Sequence, residues 1–224
     1  MLRAVAEAVR PHNVWVRVLY LQPEGMTDEL IETIRDTPEV LPYIDIPVQH
    51  CGARILKAMR RSGSRQELED LFRDLRERIP GLVLRTSLIA GLPGEGEAEF
   101  EELCEFLREA RIERVGVFPF SPEEGTPAAK MEHVDEDEAR RRADLIMQLQ
   151  APIMDDFCQS FVGKTIRVLC VGYDEELQRC IGRSYADSPD IDGLVYFTGR
   201  CPEGEMTDVL ISGADDGMLI GDEI

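Results

Sequence analysis

Polar side chains that could bind a ligand stand at the end of an apolar run in YIDIPVQH (residues 43–50). The amide of Gln49 could hydrogen-bond a ribose or another polar group, and the imidazole of His50 could do the same or cap the helix that follows. If the run is a strand of a parallel barrel, both residues lie at its carboxyl end, where such folds keep their chemistry. The sequence therefore predicts Gln49 as a ligand-binding residue and leaves His50 between a binding and a structural role.

Two later segments end apolar runs in the same way: LRTSLIAGLPGE (residues 84–95) and VGVFPFSPEEGTPA (residues 115–128). Glycine lets the backbone come close to a ligand after a strand, and Ile89 could press against an adenine ring. Glycine at this spacing also serves ordinary turns and helix ends, and the segment around Phe120 is equally ambiguous by itself. Each segment alone is therefore compatible with a binding site or with a plain turn.

The elements that would position these residues alternate between strand and helix. Strand-like runs occupy four stretches, residues 14–21, 43–48, 82–91 and 114–120. Helical patterns lie between them, with Thr27 as one predicted cap and Ser64 with Glu67 as a capping box. This alternation predicts an α/β fold with parallel strands and crossover helices. Four such strands cannot close a barrel, so the sequence predicts part of one.

Asp135 opens a further long helix, which Pro152 is expected to kink or split. After Gly163 the pattern changes to about five short strands separated by turn residues, which is typical of a small antiparallel β-barrel of the oligonucleotide-binding (OB-like) type. We therefore expect two domains, residues 1–150 and 151–224.

The chain carries a formal net charge of −19, and from Asp155 onward it has 15 acidic and 5 basic residues. Nucleic-acid affinity comes largely from Lys and Arg, so this acidic part favours a basic protein partner over RNA, although a merely solvated acidic surface is equally compatible. The six cysteines are widely spaced, which argues against a metal or cluster nest among neighbours. With no apolar run of membrane-spanning length and no secretory signal, we expect a cytoplasmic protein with no membrane contact.

The order and spacing of all these segments, followed by a small β-barrel, resemble the radical S-adenosylmethionine methylthiotransferases over nearly the whole chain. Within that family, PYIDIPVQH and GRSYADSPDIDGLVY (residues 182–196) resemble the branch called RimO, which methylthiolates an aspartate of a small-subunit ribosomal protein. The resemblance implies a partial radical SAM (β/α) barrel over residues 1–150 and a TRAM domain over residues 151–224.

The resemblance also implies cofactors, namely S-adenosylmethionine and two 4Fe-4S clusters in the full-length family. The sequence has no Cys-x-x-x-Cys-x-x-Cys nest, so we expect a carboxy-terminal fragment that holds no metal and is inactive by itself. The catalytic residues stay unassigned. The part of the barrel that this chain contains could line part of the S-adenosylmethionine pocket. Six residues are candidates because they lie at strand ends: Gln49, Arg85, Ser87, Ile89, Gly91 and Phe120.

The expected partner is a basic small-subunit ribosomal protein, with tRNA a weaker candidate because of the charge balance. Asp187, Asp190 and Asp192 lie together in a predicted loop where such a protein could dock. Asp-Ser-Pro-Asp is also ordinary turn chemistry, so a purely structural role stays open. Two alternative functions remain, a fragment of a tRNA methylthiotransferase and a non-catalytic acidic binding module.

Overall fold

The computed structural model describes the whole chain, Met1–Ile224. The chain forms two compact units, Met1–Gln150 and Ala151–Ile224. None of its helices is both long and apolar enough to cross a membrane.

The first unit is built on a four-stranded parallel sheet with the strands in chain order. Its strands are β1 (Val16–Val18), β2 (Val40–Asp45), β3 (Val83–Ala90) and β4 (Arg114–Pro119). The predicted α/β class and the partial barrel are confirmed. The first strand is much shorter than the run of residues 14–21 suggests, because it pairs on one side only and Tyr20 takes a left-handed backbone conformation (φ 60°).

Helices connect these strands and cover one face of the sheet. The helices are α1 (Leu2–Val9), α2 (Asp28–Asp36), α3 (Ala53–Ala58), α4 (Arg65–Arg78) and α5 (Glu97–Ala110), and α6 (Glu136–Gln159) begins in the same unit. Thr27 caps α2 by accepting from the Leu30 N–H at 3.3 Å. Ser64 caps α4, and its hydroxyl also donates to the Glu67 carboxylate at 2.9 Å. The predicted starts of both helices are confirmed.

The core lies between the sheet and the helices. Alternate residues of β3 point into it, and they pack near the aromatic pair Phe72 and Phe106, whose ring centres are 6.1 Å apart. The inward residues of the strand are Leu84, Thr86, Leu88 and Ala90. Because side chains alternate along a strand, Arg85, Ser87 and Ile89 share the opposite face. That face carries three of the six predicted ligand-binding residues.

The second unit is a closed five-stranded barrel with the order β5-β6-β7-β9-β8. The strands are β5 (Thr165–Asp174), β6 (Arg179–Arg183), β7 (Val195–Thr198), β8 (Met206–Asp215) and β9 (Met218–Glu223). Neighbouring strands are antiparallel except β7 and β9. An odd number of strands cannot alternate in direction around a closed ring, so one parallel pair is required, which the expectation of an antiparallel barrel left out.

The expected split of α6 at Pro152 is not found, since the helix is continuous from Glu136 to Gln159. A proline in a helix removes one N–H donor and crowds the carbonyl four residues earlier, here that of Gln148. Pro152 is exposed to solvent, so water can take the place of the missing hydrogen bond.

Candidate functional site

The carboxyl ends of β3 and β4 border an open apolar cavity of about 350 Å³. Two of the predicted ligand-binding residues, Ile89 and Phe120, lie in its wall. The other lining residues come from α3 and from the loops after β3 and β4: Ile55, Ala58, Met59, Arg60, Leu92, Pro93, Thr126, Pro127, Ala128 and Met131. A cavity of this size and composition suits a flat apolar ring system.

Backbone hydrogen bonds hold the three strand ends together beside the cavity. The Ile89 N–H donates to the Gln49 carbonyl at 2.8 Å, and the Gln49 N–H donates to the Ser87 carbonyl at 2.9 Å. The Phe120 N–H donates to the Ala90 carbonyl at 2.8 Å. Gln49 is half-buried and left-handed (φ 69°), and its backbone joins the loop after β2 to β3.

Gly91 lies behind the cavity and supports its wall without lining it. Its φ is 81°, and a Cβ there would overlap the Cβ of Ala139 and lie 3.0 Å from the Ala139 Cα. Helix α6 can therefore approach the loop after β3 only because this position is glycine. The Gly91 N–H donates to the buried Glu95 carboxylate at 3.0 Å.

Glu95 forms a buried ion pair that fixes this loop. Arg142 Nη1 donates to Glu95 Oε1 at 2.8 Å, and both side chains are largely excluded from solvent. The Leu92 N–H donates to Glu95 Oε2 at 3.4 Å. A single carboxylate thus connects the loop that carries part of the cavity wall to α6.

His50 faces the same carboxylate and has a structural role. Its side chain is fully buried, and Nδ1 accepts from the Gly52 N–H at 2.9 Å. Burial lowers the pKa of His50 to about 4, so the ring is neutral near pH 7. With Nδ1 accepting, the proton lies on Nε2, which is 3.7 Å from Glu95 Oε2.

Arg85 is already paired within the sheet. Its Nη1 donates to Asp45 Oδ1 at 3.0 Å and lies 3.5 Å from the Ser87 hydroxyl. The Tyr20 N–H donates to the other oxygen of Asp45 at 3.3 Å. Arg85 and Ser87 therefore share a polar cluster on the same face as Ile89 and do not line the apolar cavity.

The acidic loop in the second unit is largely bonded to itself. The Asp187 carboxylate is buried and accepts from the Ser184 N–H at 2.9 Å and from the Ser184 hydroxyl at 2.6 Å. Asp192 accepts from the Ser188 N–H at 2.8 Å and is half-buried. Asp190 is exposed. Of the three predicted docking residues, Asp187 thus points inward and serves the turn, which leaves Asp190 and part of Asp192 at the surface.

The side chains of this chain do not fit an iron–sulfur cluster. No three His, Cys, Asp or Glu side chains are grouped so as to hold a metal ion. Five of the six cysteines are buried, and burial raises the pKa of the Cys51 and Cys104 thiols, whereas a cluster ligand must be a thiolate. The apolar cavity, by contrast, is large enough for a flat ring such as adenine and is lined mainly by apolar side chains.

Several residues around the cavity carry no signal in the sequence. Arg60 and Met131 line it from a helix end and from a loop, positions that no periodicity reveals. The Glu95–Arg142 pair joins residues 47 positions apart, which only the fold brings together. Asp45 could have been singled out, because a carboxylate inside an apolar strand needs a buried partner.

Comparisons with known proteins cover both units. The radical SAM superfamily matches residues 1–107, and the TRAM domain matches residues 162–224. The chain is 39% identical over 211 residues to the ribosomal protein uS12 methylthiotransferase RimO of Bdellovibrio bacteriovorus, a match that covers 93% of this chain and 46% of that protein. It is 43% identical over 211 residues to the protein of the same name from Pelobacter propionicus, covering 93% and 47%. The chain spans about half the length of the curated relatives it matches.

Among solved structures, the fold is similar to that of coproporphyrinogen III oxidase (HemN) from Escherichia coli, which is a radical SAM enzyme. The TM-score is 0.54 at 15% identity, and the match covers 72% of this chain and 38% of that one. At this level of identity the likeness shows the fold alone.

Proposed function

Because this chain belongs to the radical SAM methylthiotransferase family, we propose that it is the carboxy-terminal part of an enzyme that methylthiolates an aspartate of a small-subunit ribosomal protein. The observation that carries the proposal is the similarity to proteins named uS12 methylthiotransferase over 93% of the chain. Residues 1–150 would be the end of the radical SAM barrel and residues 151–224 the TRAM domain.

The cavity at the strand ends would take the adenosyl group. Ile89 and Phe120 supply apolar walls, and the Gln49 backbone carbonyl accepts from the Ile89 N–H beside them, although Gln49 does not line the cavity. When bound, S-adenosylmethionine supplies the adenosyl group on which the family's chemistry depends. This chain's own contribution is to bind and orient that group and to exclude water from one side of it. The Glu95–Arg142 pair and Gly91 keep the cavity wall in place.

The cluster ligands would come from the part of the enzyme that this chain does not span. No step is assigned to the cysteines present here, since they are not grouped around any common point. The number of clusters in the whole enzyme stays part of the proposal, and so does a cytoplasmic location.

The acidic charge supports a basic protein as substrate. With 15 acidic and 5 basic residues from Asp155 onward, the second unit would attract a basic ribosomal protein and repel tRNA phosphates. Asp190 is the exposed member of the predicted docking loop. The charge does not favour tRNA as the substrate, and the relatives reported above are named as enzymes, which does not favour a non-catalytic acidic module.

The proposal can be tested by joining this chain to the amino-terminal half of the Pelobacter propionicus relative. After anaerobic reconstitution of the clusters, the chimera should add one methylthio group to an aspartate of uS12, detected by mass spectrometry of the digested protein. The same chimera carrying Ile89→Glu should lose most activity, and one carrying Glu176→Gln on the surface should not. Modification of tRNA in place of uS12 would reject the proposal that a ribosomal protein is the substrate. If the chimera modified nothing in an assay where the natural relative is active, the proposal that this chain is part of such an enzyme would be rejected.

A further inference from the structure

Arg60 takes an unfavourable backbone conformation at the edge of the cavity. It follows α3, and its φ is 58°. The Arg60 N–H bonds to the Lys57 carbonyl at 3.1 Å and the Arg61 N–H to the Leu56 carbonyl at 2.8 Å, which together form a Schellman motif. The left-handed position of that motif is usually glycine, because a side chain there costs stability. The Arg60 side chain is thus held at the cavity edge at some cost in stability, as the Arg111 side chain is at its own helix end (φ 43°).

The guanidinium of Arg60 is exposed and makes no hydrogen bond or ion pair within the chain. Its neighbours are engaged: Arg61 donates to the Pro47 carbonyl at 2.7 Å, and Arg65 donates to Glu69 at 2.7 Å. No acidic side chain pairs with Arg60, although the protein has a net charge of −19. Its charge is available to a ligand.

Arg60 is also the only charged residue that lines the apolar cavity. It additionally borders a smaller, more polar cavity of about 190 Å³ next to it, together with Gln22, Glu24 and Ser62. A ligand seated in the apolar cavity would thus meet one positive charge, at the side that leads toward the second cavity. This arrangement suits a molecule with an apolar body and one anionic group.

We propose that Arg60 binds a carboxylate of the ligand that occupies this cavity. The inference rests on the proposed function, whose cofactor and substrate both bear a carboxylate and neither a phosphate. The carboxylate would be that of the methionine part of S-adenosylmethionine or the side chain of the target aspartate. Arginine is suited to either, because its planar guanidinium donates two parallel hydrogen bonds to a carboxylate.

The test measures binding to the 224-residue chain by titration calorimetry with two matched ligand pairs. One pair is S-adenosylmethionine and its decarboxylated form, and the other is a basic peptide with a central aspartate and its asparagine counterpart. The wild type should prefer the carboxylate member of one pair by about tenfold, the range of a charge-assisted hydrogen bond. Arg60→Gly should abolish that preference, and the pair that responds identifies the source of the carboxylate.

Stability gives a second readout that separates binding from a structural role. Arg60→Gly should raise the melting temperature by about 2–4 °C, because glycine relieves the left-handed strain. Arg111→Gly is the matched control, since Arg111 is also left-handed at a helix end (φ 43°) but does not line the cavity. It should be stabilising to a similar degree and leave both ligand preferences intact.

The outcomes separate the inference from the proposed function. If the wild type binds the ligands and Arg60→Gly keeps every carboxylate preference, the role of Arg60 is rejected while the cavity assignment stands. If the wild type binds neither pair, the assignment of the cavity fails and the role of Arg60 fails with it.

Discussion

At the scale of single residues, the buried Glu95 carboxylate holds the loop after β3 in place without lining the cavity itself. It accepts hydrogen bonds from the Gly91 and Leu92 N–H groups and from Arg142, while the uncharged His50 ring faces it. Arg142 also donates to the Glu138 carboxylate at 2.8 Å, so Glu95 is its buried partner but not its only one.

Glu95→Gln should lower the free energy of unfolding by about 2 kcal/mol, because Arg142 loses its buried charged partner and keeps only Glu138, which is 30% exposed, at 2.8 Å. Glu97→Gln is the control, since Glu97 contacts the same arginine at 3.4 Å but its side chain is 76% exposed. An exposed pair contributes about 0–1 kcal/mol, so the control should be nearly neutral. Urea denaturation of both variants compares them, and equal losses would contradict the buried pair as the main support of the loop.

His50 should make the protein sensitive to acid. Burial lowers its pKa in the folded state to about 4, below the ordinary value of 6.5. Below pH 6.5, His50 binds a proton in the unfolded chain, whereas in the folded chain it stays neutral until the pH approaches 4. The contribution of neutral His50 is therefore complete above about pH 6.5 and declines as the pH falls toward 4.

The expected loss from His50 is about 2 kcal/mol between about pH 7 and pH 5. His50→Asn removes the titration and keeps an acceptor near the Gly52 N–H, so the wild type should lose about 2 kcal/mol more than the variant over this interval. Denaturation curves at several pH values measure this difference. The contributions of the titratable groups that both proteins share cancel when the two are compared. Parallel curves for the two proteins would mean that His50 titrates normally.

Of the six residues that the sequence predicts to bind a ligand, two line the cavity and four do not. Ile89 and Phe120 line the cavity because they end neighbouring strands, which a parallel pattern predicts. Arg85 and Ser87 lie on the same face, but Arg85 pairs with Asp45 and Ser87 lies beside the Arg85 guanidinium, since a charge on a buried strand binds the nearest opposite charge. That Ile89, Phe120 or any other of the six residues binds a ligand stays a prediction.

At the scale of elements, local signals predicted where helices begin, and tertiary contacts decided where strands end. The caps Thr27 and Ser64 act within three residues, so sequence alone reveals them. The length of β1 depends on pairing with β2 and on the left-handed Tyr20, which no local preference specifies. The parallel β7–β9 pair follows from closing a ring of five strands, a property of the whole barrel.

The close approach of α6 to the loop after β3 depends on Gly91. Gly91→Ala should destabilise the protein by about 2–4 kcal/mol, because the new Cβ overlaps Ala139 and the positive φ adds strain. Gly125→Ala is the control, since its φ is 83° but no atom lies within 4 Å of the added Cβ. The difference between the two variants in urea denaturation isolates the helix contact, and equal costs would mean that backbone strain alone explains Gly91.

At the scale of the whole molecule, the two units differ in how their sheets end. The sheet of the first unit is open, with β1 and β4 at its edges, and Phe118 in β4 and Tyr20 just after β1 are exposed. The sheet of the second unit is closed, so all its strands have neighbours on both sides. An open edge beside exposed apolar residues favours association with other chains, and closure prevents it.

We therefore expect Ala151–Ile224 to fold by itself, since its core of Val168, Val195, Phe197 and Val209 is complete within the barrel. The isolated unit should be monomeric by light scattering and should unfold in one cooperative transition.

Gly182→Ala should disrupt this transition, because its Cβ would overlap Val168 and lie 3.0 Å from the Leu169 carbonyl oxygen. Gly204→Ala is the control, since its Cβ meets no atom within 4 Å and adds only the strain of its positive φ. The isolated Met1–Gln150, with its open sheet, should instead associate as its concentration rises. If the isolated first unit stayed monomeric and the isolated barrel did not fold, closure of the sheet would not explain which unit can fold and stay monomeric by itself.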